Sequence, residues 1–327
     1  MRTPTKLAAF GGGVTLVFAG SLGVGAATGS PIADSPMSPH GAEHGQHEST
    51  PTGEGTPSDS LPGGLVVADR GYALVLAETV LPAGSAVDLA FRLTTAGGDP
   101  VVDYEVSHEK EMHLILVRRD GTGFQHLHPT MTPDGTWSTS AELTPGAWQV
   151  FADFVPAGGE NLTLGSDLSV PGVCDPEEIP EPAAMATVDG YEVTLDGELV
   201  PGRESELTLS VSRDGVAVDD LEPYLGAYGH LVALRAGDLA YLHVHPDGDS
   251  SDSTTPAGPD VTFYANAPSS GTYLLYLDFQ HDGRVRTAQF TVATGVQHDA
   301  TAPSSAPADH GSDDHSSDGH GDDGHGH

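Results

Sequence analysis

Residues 113–129, HLILVRRDGTGFQHLHP, return 117 positions later as residues 230–246, HLVALRAGDLAYLHVHP. Each copy holds a short apolar run, a polar turn and a second run that ends in His-x-His-Pro. His113, His126 and His128 of the first copy match His230, His243 and His245 of the second with both intervals unchanged. Short runs flanking a tight polar turn are the signature of a β-hairpin rather than a helix. With the turn at Arg119–Thr122, Arg118 faces Gly123 and the same register sets His113 opposite His128. Directly opposed residues share a face of the sheet, and His126, two positions before His128, projects from that face too. The spacing therefore predicts three converging imidazoles in each copy.

The repetition extends outward from the hairpin. YALVLAETVLPAGSAVDLAFRL before the first copy answers YEVTLDGELVPGRESELTLSV before the second, and GAWQVFADF (146–154) answers GTYLLYLDF (271–279). Asp153 thereby matches Asp278. The second copy is longer after its HxHP, where DGDSSDSTTPAGPD makes a polar loop. A period of this length describes whole domains, not solenoid units. Within each domain the apolar pattern has period two, broken by Gly, Pro and Asp turns. The fold class expected is all-β: two tandem immunoglobulin-like or cupredoxin-like antiparallel β-sandwiches. They span 64–170 and 185–293, joined by a Pro/Glu-rich linker at 171–184.

The flanks differ in composition. Residues 1–28 carry two basic residues followed by LAAFGGGVTLVFAGSLGVGAA, which reads as an export signal or an uncleaved N-terminal membrane anchor. Residues 29–63 are rich in Ser, Pro, Gly and Thr, contain His40, His44 and His47, and are expected to be a disordered spacer. The tail, 294–327, alternates His with Asp and Gly. It is likewise expected to be disordered, with His310, His315, His320, His325 and His327 as a flexible chelator beside His298. The chain is thus expected to act outside the cytoplasm, secreted or membrane-anchored. A formal net charge of −35, from 47 acidic against 12 basic residues, excludes nucleic acid as a natural partner. The single cysteine, Cys174, lies in the linker, so neither domain has a disulfide of its own.

Imidazoles clustered without thiolate suit Cu(II), Zn(II) or Ni(II), and intrinsic affinity favours copper. A blue-copper centre is excluded because it needs a cysteine ligand. A cupin-type centre is disfavoured, since Thr132 stands where a glutamate would follow the HxH. The expected ligands are His113, His126, His128, His230, His243 and His245, one set in each domain. Asp153 and Asp278, in otherwise apolar strands, are candidates to orient a histidine from behind. His108 and His281 have no counterpart in the other repeat and rank lower as ligands. No general base or nucleophile stands near either set, so no catalytic residues are assigned and the chain is not expected to be an enzyme. Two alternatives remain: a structural cell-envelope module whose histidines only pack, and, further off, a three-histidine zinc hydrolase.

HLILVRRDGTGFQHLHP, DGTWS, GAWQVFADF and LGAYGHLVALRAGDLAYLHVHP together resemble uncharacterised secreted proteins of actinobacterial type with tandem HxHP-containing β-sandwich domains. Some of these are labelled heavy-metal-binding. The resemblance covers most of residues 64–293 and implies an extracytoplasmic metal-binding role that buffers or delivers an ion. Its partner on that reading is a membrane metal transporter or another envelope protein.

Overall fold

The computed structural model describes residues 61–298, all within one compact unit of the chain. The N-terminal apolar segment, nearly all of the spacer, and His310, His315, His320, His325 and His327 lie outside the described residues. Among the described residues every regular element is a strand, and no helix is long and apolar enough to cross a membrane.

The first repeat opens with β1 (Ala68–Asp69), β2 (Tyr72–Leu76), β3 (Gly84–Thr95), β4 (Tyr104–Glu105) and β5 (His113–Arg118). It continues through β6 (Gln125–Leu127), β7 (Thr130–Met131), β8 (Thr136–Leu143), β9 (Gly146–Pro156) and β10 (Leu162–Val170). The second repeat comprises β11 (Met185–Val188), β12 (Tyr191–Glu198), β13 (Glu204–Arg213), β14 (Val216–Ala217) and β15 (His230–Arg235). After these come β16 (Val244–Pro246), β17 (Asp260–Asn266), β18 (Thr272–His281), β19 (Arg284–Ala293) and β20 (Gln297–His298). Every pairing between these strands is antiparallel.

The two repeats share one strand order. In the first, β1-β2-β3-β8-β7 faces β10-β9-β5-β6; in the second, β11-β12-β13-β17-β16 faces β15-β18-β19. The period-two pattern explains the layering. On β3 Val87, Leu89, Phe91 and Leu93 are buried while Asp88 and Arg92 face solvent; on β13 Leu207, Leu209 and Val211 are buried in the same alternation. Each such side chain contributes about 1.5–3 kcal/mol on burial. The two sandwiches accordingly have separate cores, one around Phe91, Trp137, Trp148 and Phe154, the other around Tyr191, Phe263, Phe279 and Phe290.

The central strands break the alternation. On β5, Leu114 and Leu116 enter the first core, but Ile115 and Val117 on the opposite face are also fully buried. They meet Val232, Leu234, Leu274 and Tyr276 of the second repeat in a third apolar cluster. The two repeats thus pack back to back through these faces. The contact is pseudo-two-fold. Phe124 stacks on Tyr276 with centroids 4.0 Å apart, and their sequence equivalents Tyr241 and Phe151 meet at 5.7 Å. Self-complementary pairing of this kind is how a two-fold interface is built. The Tyr276 hydroxyl donates to the Gly121 carbonyl at 2.7 Å. Gly121 has φ +83°, and a Cβ there would lie 2.6 Å from Leu274 Cδ1. Turn conformation and close approach both require glycine at that position.

Two boundaries fall outside the expected limits. The backbone of Gly63, expected in the spacer, bridges to Tyr241 at the contact between repeats. Gln297 and His298, expected in the tail, form β20 and pair with Gly197–Glu198 of β12, burying His298.

Candidate metal centre

In the first repeat Leu114 pairs with Leu127 and Ile115 with His126. Continued by one residue, this register sets His113 beside His128, as the spacing predicts. The strand parity then directs the histidines away from the sandwich core, onto the face that meets the second repeat. Ligand atoms of His113, His126 and His128 all lie within 4.8 Å of one another. The second repeat completes the cluster. Ligand atoms of His230, Asp278 and His126 form another group of the same span, with the His230 ring centroid 4.6 Å from that of His126 and 5.6 Å from that of His113. The result is one composite centre across two repeats.

Hydrogen bonds fix which ring nitrogens are free. His113 Nε2 lies 3.0 Å from the Ser107 carbonyl oxygen, to which it must donate. His126 Nδ1 lies 2.9 Å from Asp278 Oδ2, to which it also donates. The Thr287 hydroxyl holds the other carboxylate oxygen at 2.6 Å. Each neutral ring carries one proton. With both rings neutral, the lone pairs of His113 Nδ1 and His126 Nε2 face each other, 3.0 Å apart; a proton held between them makes the same contact a hydrogen bond. Two acceptors at that distance repel unless a proton or a cation lies between them. An ion bound at about 2.0–2.1 Å to two nitrogens holds them roughly 3–3.4 Å apart, so the spacing matches a shared metal. His128 Nε2 and His230 Nδ1 are buried with no hydrogen-bond partner among the described residues. The Ser107 carbonyl and the Asp278 carboxylate stand behind His113 and His126 as outer partners do behind metal-bound histidines.

The electrostatics keep these rings available. Burial, followed by the nearness of His126, lowers the His113 pKa to about 4. His128 falls to about 3 for the same two reasons, with His113 adding to the effect. His230 is pushed well below its ordinary value, again first by burial. At neutral pH these three imidazoles are unprotonated, the form that binds metal.

The second repeat does not build a matching triple, contrary to the expectation of one site per domain. Among the described residues, His243 and His245 join no three-residue ligand cluster with His230. The hairpin starts in the equivalent register, with Leu234 bridged to Tyr241 and the Leu242 amide bonded to Ala233. It then leaves β15, and Val244–Pro246 pair with β17 in the other sheet. The first repeat makes this switch only at Thr130, whose partner is Ser138 on β8. His243 ends up exposed, and His245 sits 5.5 Å from the ring of Tyr264. Asp153 also departs from its expected role. It is half-buried and accepts from Asn161 at 3.1 Å and Thr163 at 2.9 Å, and desolvation raises its pKa. Asp278 does orient a histidine, but one from the other repeat.

Sequence reasoning missed Ser107 and ranked His108 low. Ser107 acts through its backbone carbonyl, for which the sequence carries no signal. His108 lies in a two-residue turn closed by reciprocal Ser107–Lys110 backbone bonds, and its ring centroid is 5.8 Å from that of His230. His281, ranked low, is occupied elsewhere: Nε2 donates to Asp220 at 3.0 Å and Nδ1 accepts from the Tyr191 hydroxyl at 2.7 Å.

A family model described as a domain of unknown function, DUF8832, matches residues 66–171 and again 186–295. The chain belongs to that family, with two copies of its domain. Among curated proteins none matches the chain. Of solved structures, it is similar to the Escherichia coli adhesin FdeC at 14% identity and a TM-score of 0.23, covering 72% of this chain and 66% of that one. It is also similar to a Salmonella alpha-2-macroglobulin mutant at 16% identity and a TM-score of 0.24, covering 72% of this chain but 15% of that one. Domains 4 and 5 of the S-layer protein SbsC match at 10% identity and a TM-score of 0.20, covering 70% and 98%. The chain thus spans less than two thirds of the adhesin and of the macroglobulin chain.

Proposed function

We propose that the protein binds a divalent transition-metal ion, copper(II) in preference to zinc(II) or nickel(II), at a single principal centre between its two repeats. His113 Nδ1, His126 Nε2 and His128 are the ligands from the first repeat, and His230 is the ligand from the second. The observation that carries this reading is the pair of imidazole nitrogens 3.0 Å apart, each ring tied from behind to a carbonyl or a carboxylate. An all-nitrogen donor set favours copper on intrinsic affinity.

The ion is cargo on this reading, not a catalyst. The N-terminal apolar segment supports action outside the cytoplasm, where the protein would buffer copper or hand it to a membrane transporter or another envelope protein. The tail histidines would capture ions that the folded centre then holds more tightly. The test is a copper(II) titration read by electron paramagnetic resonance and by competition with a chelator of known affinity. Wild-type protein should give a tight species with nitrogen hyperfine structure that is lost when His126 and His128 are both replaced by alanine. If that double variant keeps the tight species, the centre is not where the ion binds.

A further inference from the structure

An ion can reach the buried centre only through groups that also face solvent. His113 is 3% exposed and Asp278 2%, so neither offers a first contact, while His128 and His230 are half-buried. A cavity of about 490 Å³ reaches His230, and its lining includes His108, Asp153, Tyr241 and His243. A second, of about 500 Å³, shares His108 and adds His245. His230 belongs both to the first cavity and to the composite centre, where its ring centroid is 4.6 Å from that of His126. His108 and His243 are exposed.

The placement of His108 has an energetic signature. His108 and Glu109 have φ of +47° and +63°, so both central residues of the turn are in the left-handed region. Two-residue hairpin turns normally use Asn-Gly there, and each non-glycine residue in that region costs about 1–2 kcal/mol. That strained turn sets the His108 ring 5.8 Å from His230 and 6.1 Å from His113, by centroid. The Asp153 carboxylate, which also lines the cavity, adds an oxygen donor.

We propose that His108 and His243 form an outer receiving site for a divalent transition-metal ion, which passes from there to the buried centre through His230. The transfer is a ligand exchange, in which the ion trades one imidazole nitrogen for the next and no electron moves. This inference rests on the proposed centre but makes a separate claim, that loading rate and final affinity depend on different histidines.

The chain contains three isoleucines, Ile32, Ile115 and Ile179. Ile115 is fully buried and paired with His126, so its methyl resonance reports occupancy of the centre. Full-length protein with labelled isoleucine methyls is mixed with one equivalent of zinc(II), a diamagnetic probe, and the loaded Ile115 signal is followed in time. His108→Asn, which tolerates the left-handed backbone, is combined with His243→Ala. The double variant should reach the wild-type shift and an affinity within about threefold, but load at least about tenfold more slowly, because association and affinity separate when contacts lie on the path and not at the destination. Loading at the wild-type rate with the same final shift would overturn the receiving site while leaving the centre intact. If Ile115 does not respond in wild-type protein, the buried centre itself is refuted, and the receiving site with it.

Discussion

Replacing Asp278 by asparagine should convert the centre from a metal site into a satisfied hydrogen-bond network. In the native chain the carboxylate accepts from His126 Nδ1 at 2.9 Å and from the Thr287 hydroxyl at 2.6 Å. Asparagine can keep the hydroxyl bond through its oxygen, which turns its amide N–H group toward His126. His126 Nδ1 must then accept, and the ring proton moves to Nε2. That N–H points at His113 Nδ1, 3.0 Å away, and closes the lone-pair conflict. Copper would have to displace this proton and rotate the asparagine. Loss of such an outer partner weakens metal binding about 10–100-fold, which is about 1.4–2.7 kcal/mol. The metal-free fold should suffer little, since a buried charge is removed and the two facing imidazoles become a donor–acceptor pair. Chelator-competition titration and thermal melts of metal-free protein together give the answer. Unchanged copper affinity in Asp278→Asn, or a fold destabilised by several kcal/mol, would refute the tautomer argument.

Other expectations follow from the same geometry. A histidine whose folded pKa lies below its unfolded value binds protons more readily when unfolded, so it favours folding above about pH 6.5 and progressively less as pH falls. For His113, lowered to about 4, the full difference is on the order of 3 kcal/mol. Urea melts of metal-free protein should therefore weaken between pH 6.5 and 4, and less so in His113→Leu; equal slopes would contradict the burial account. His128→Ala should weaken copper binding by more than about tenfold, or 1.4 kcal/mol, whereas His245→Ala should leave it nearly unchanged, as chelator competition would read. Tyr276→Ala removes a fully buried ring stacked across the repeats and should cost about 3–5 kcal/mol in urea melts. Copper affinity should fall with it, because His230 and Asp278 then lose their fixed position against His126.

The hairpin was legible because its turn and its two HxH positions leave one parity consistent with a buried sandwich face. That parity alone brings His113, His126 and His128 together. The contact between repeats was not read, although the unbroken run Leu114–Val117 carried a signal. A strand covered on one face alternates, and one covered on both does not. Read that way, the run places Ile115 and Val117 against another layer and sends the histidines there as well. The fate of His243 and His245 was less accessible. Their spacing copies that of the first repeat, but the strand changes sheets earlier, and a pairing choice of that kind depends on tertiary packing. Asp153 and Asp278 occupy equivalent positions, yet only the latter receives a histidine, for the same reason.

The position of bound copper separates one composite centre from two independent ones. Anomalous diffraction from copper-loaded crystals should show the strongest peak of each chain at the contact between repeats, bonded to His113 Nδ1 and His126 Nε2 with His128 and His230 alongside. Two equal peaks, one within each sandwich, or a dominant peak away from these four residues, would contradict it.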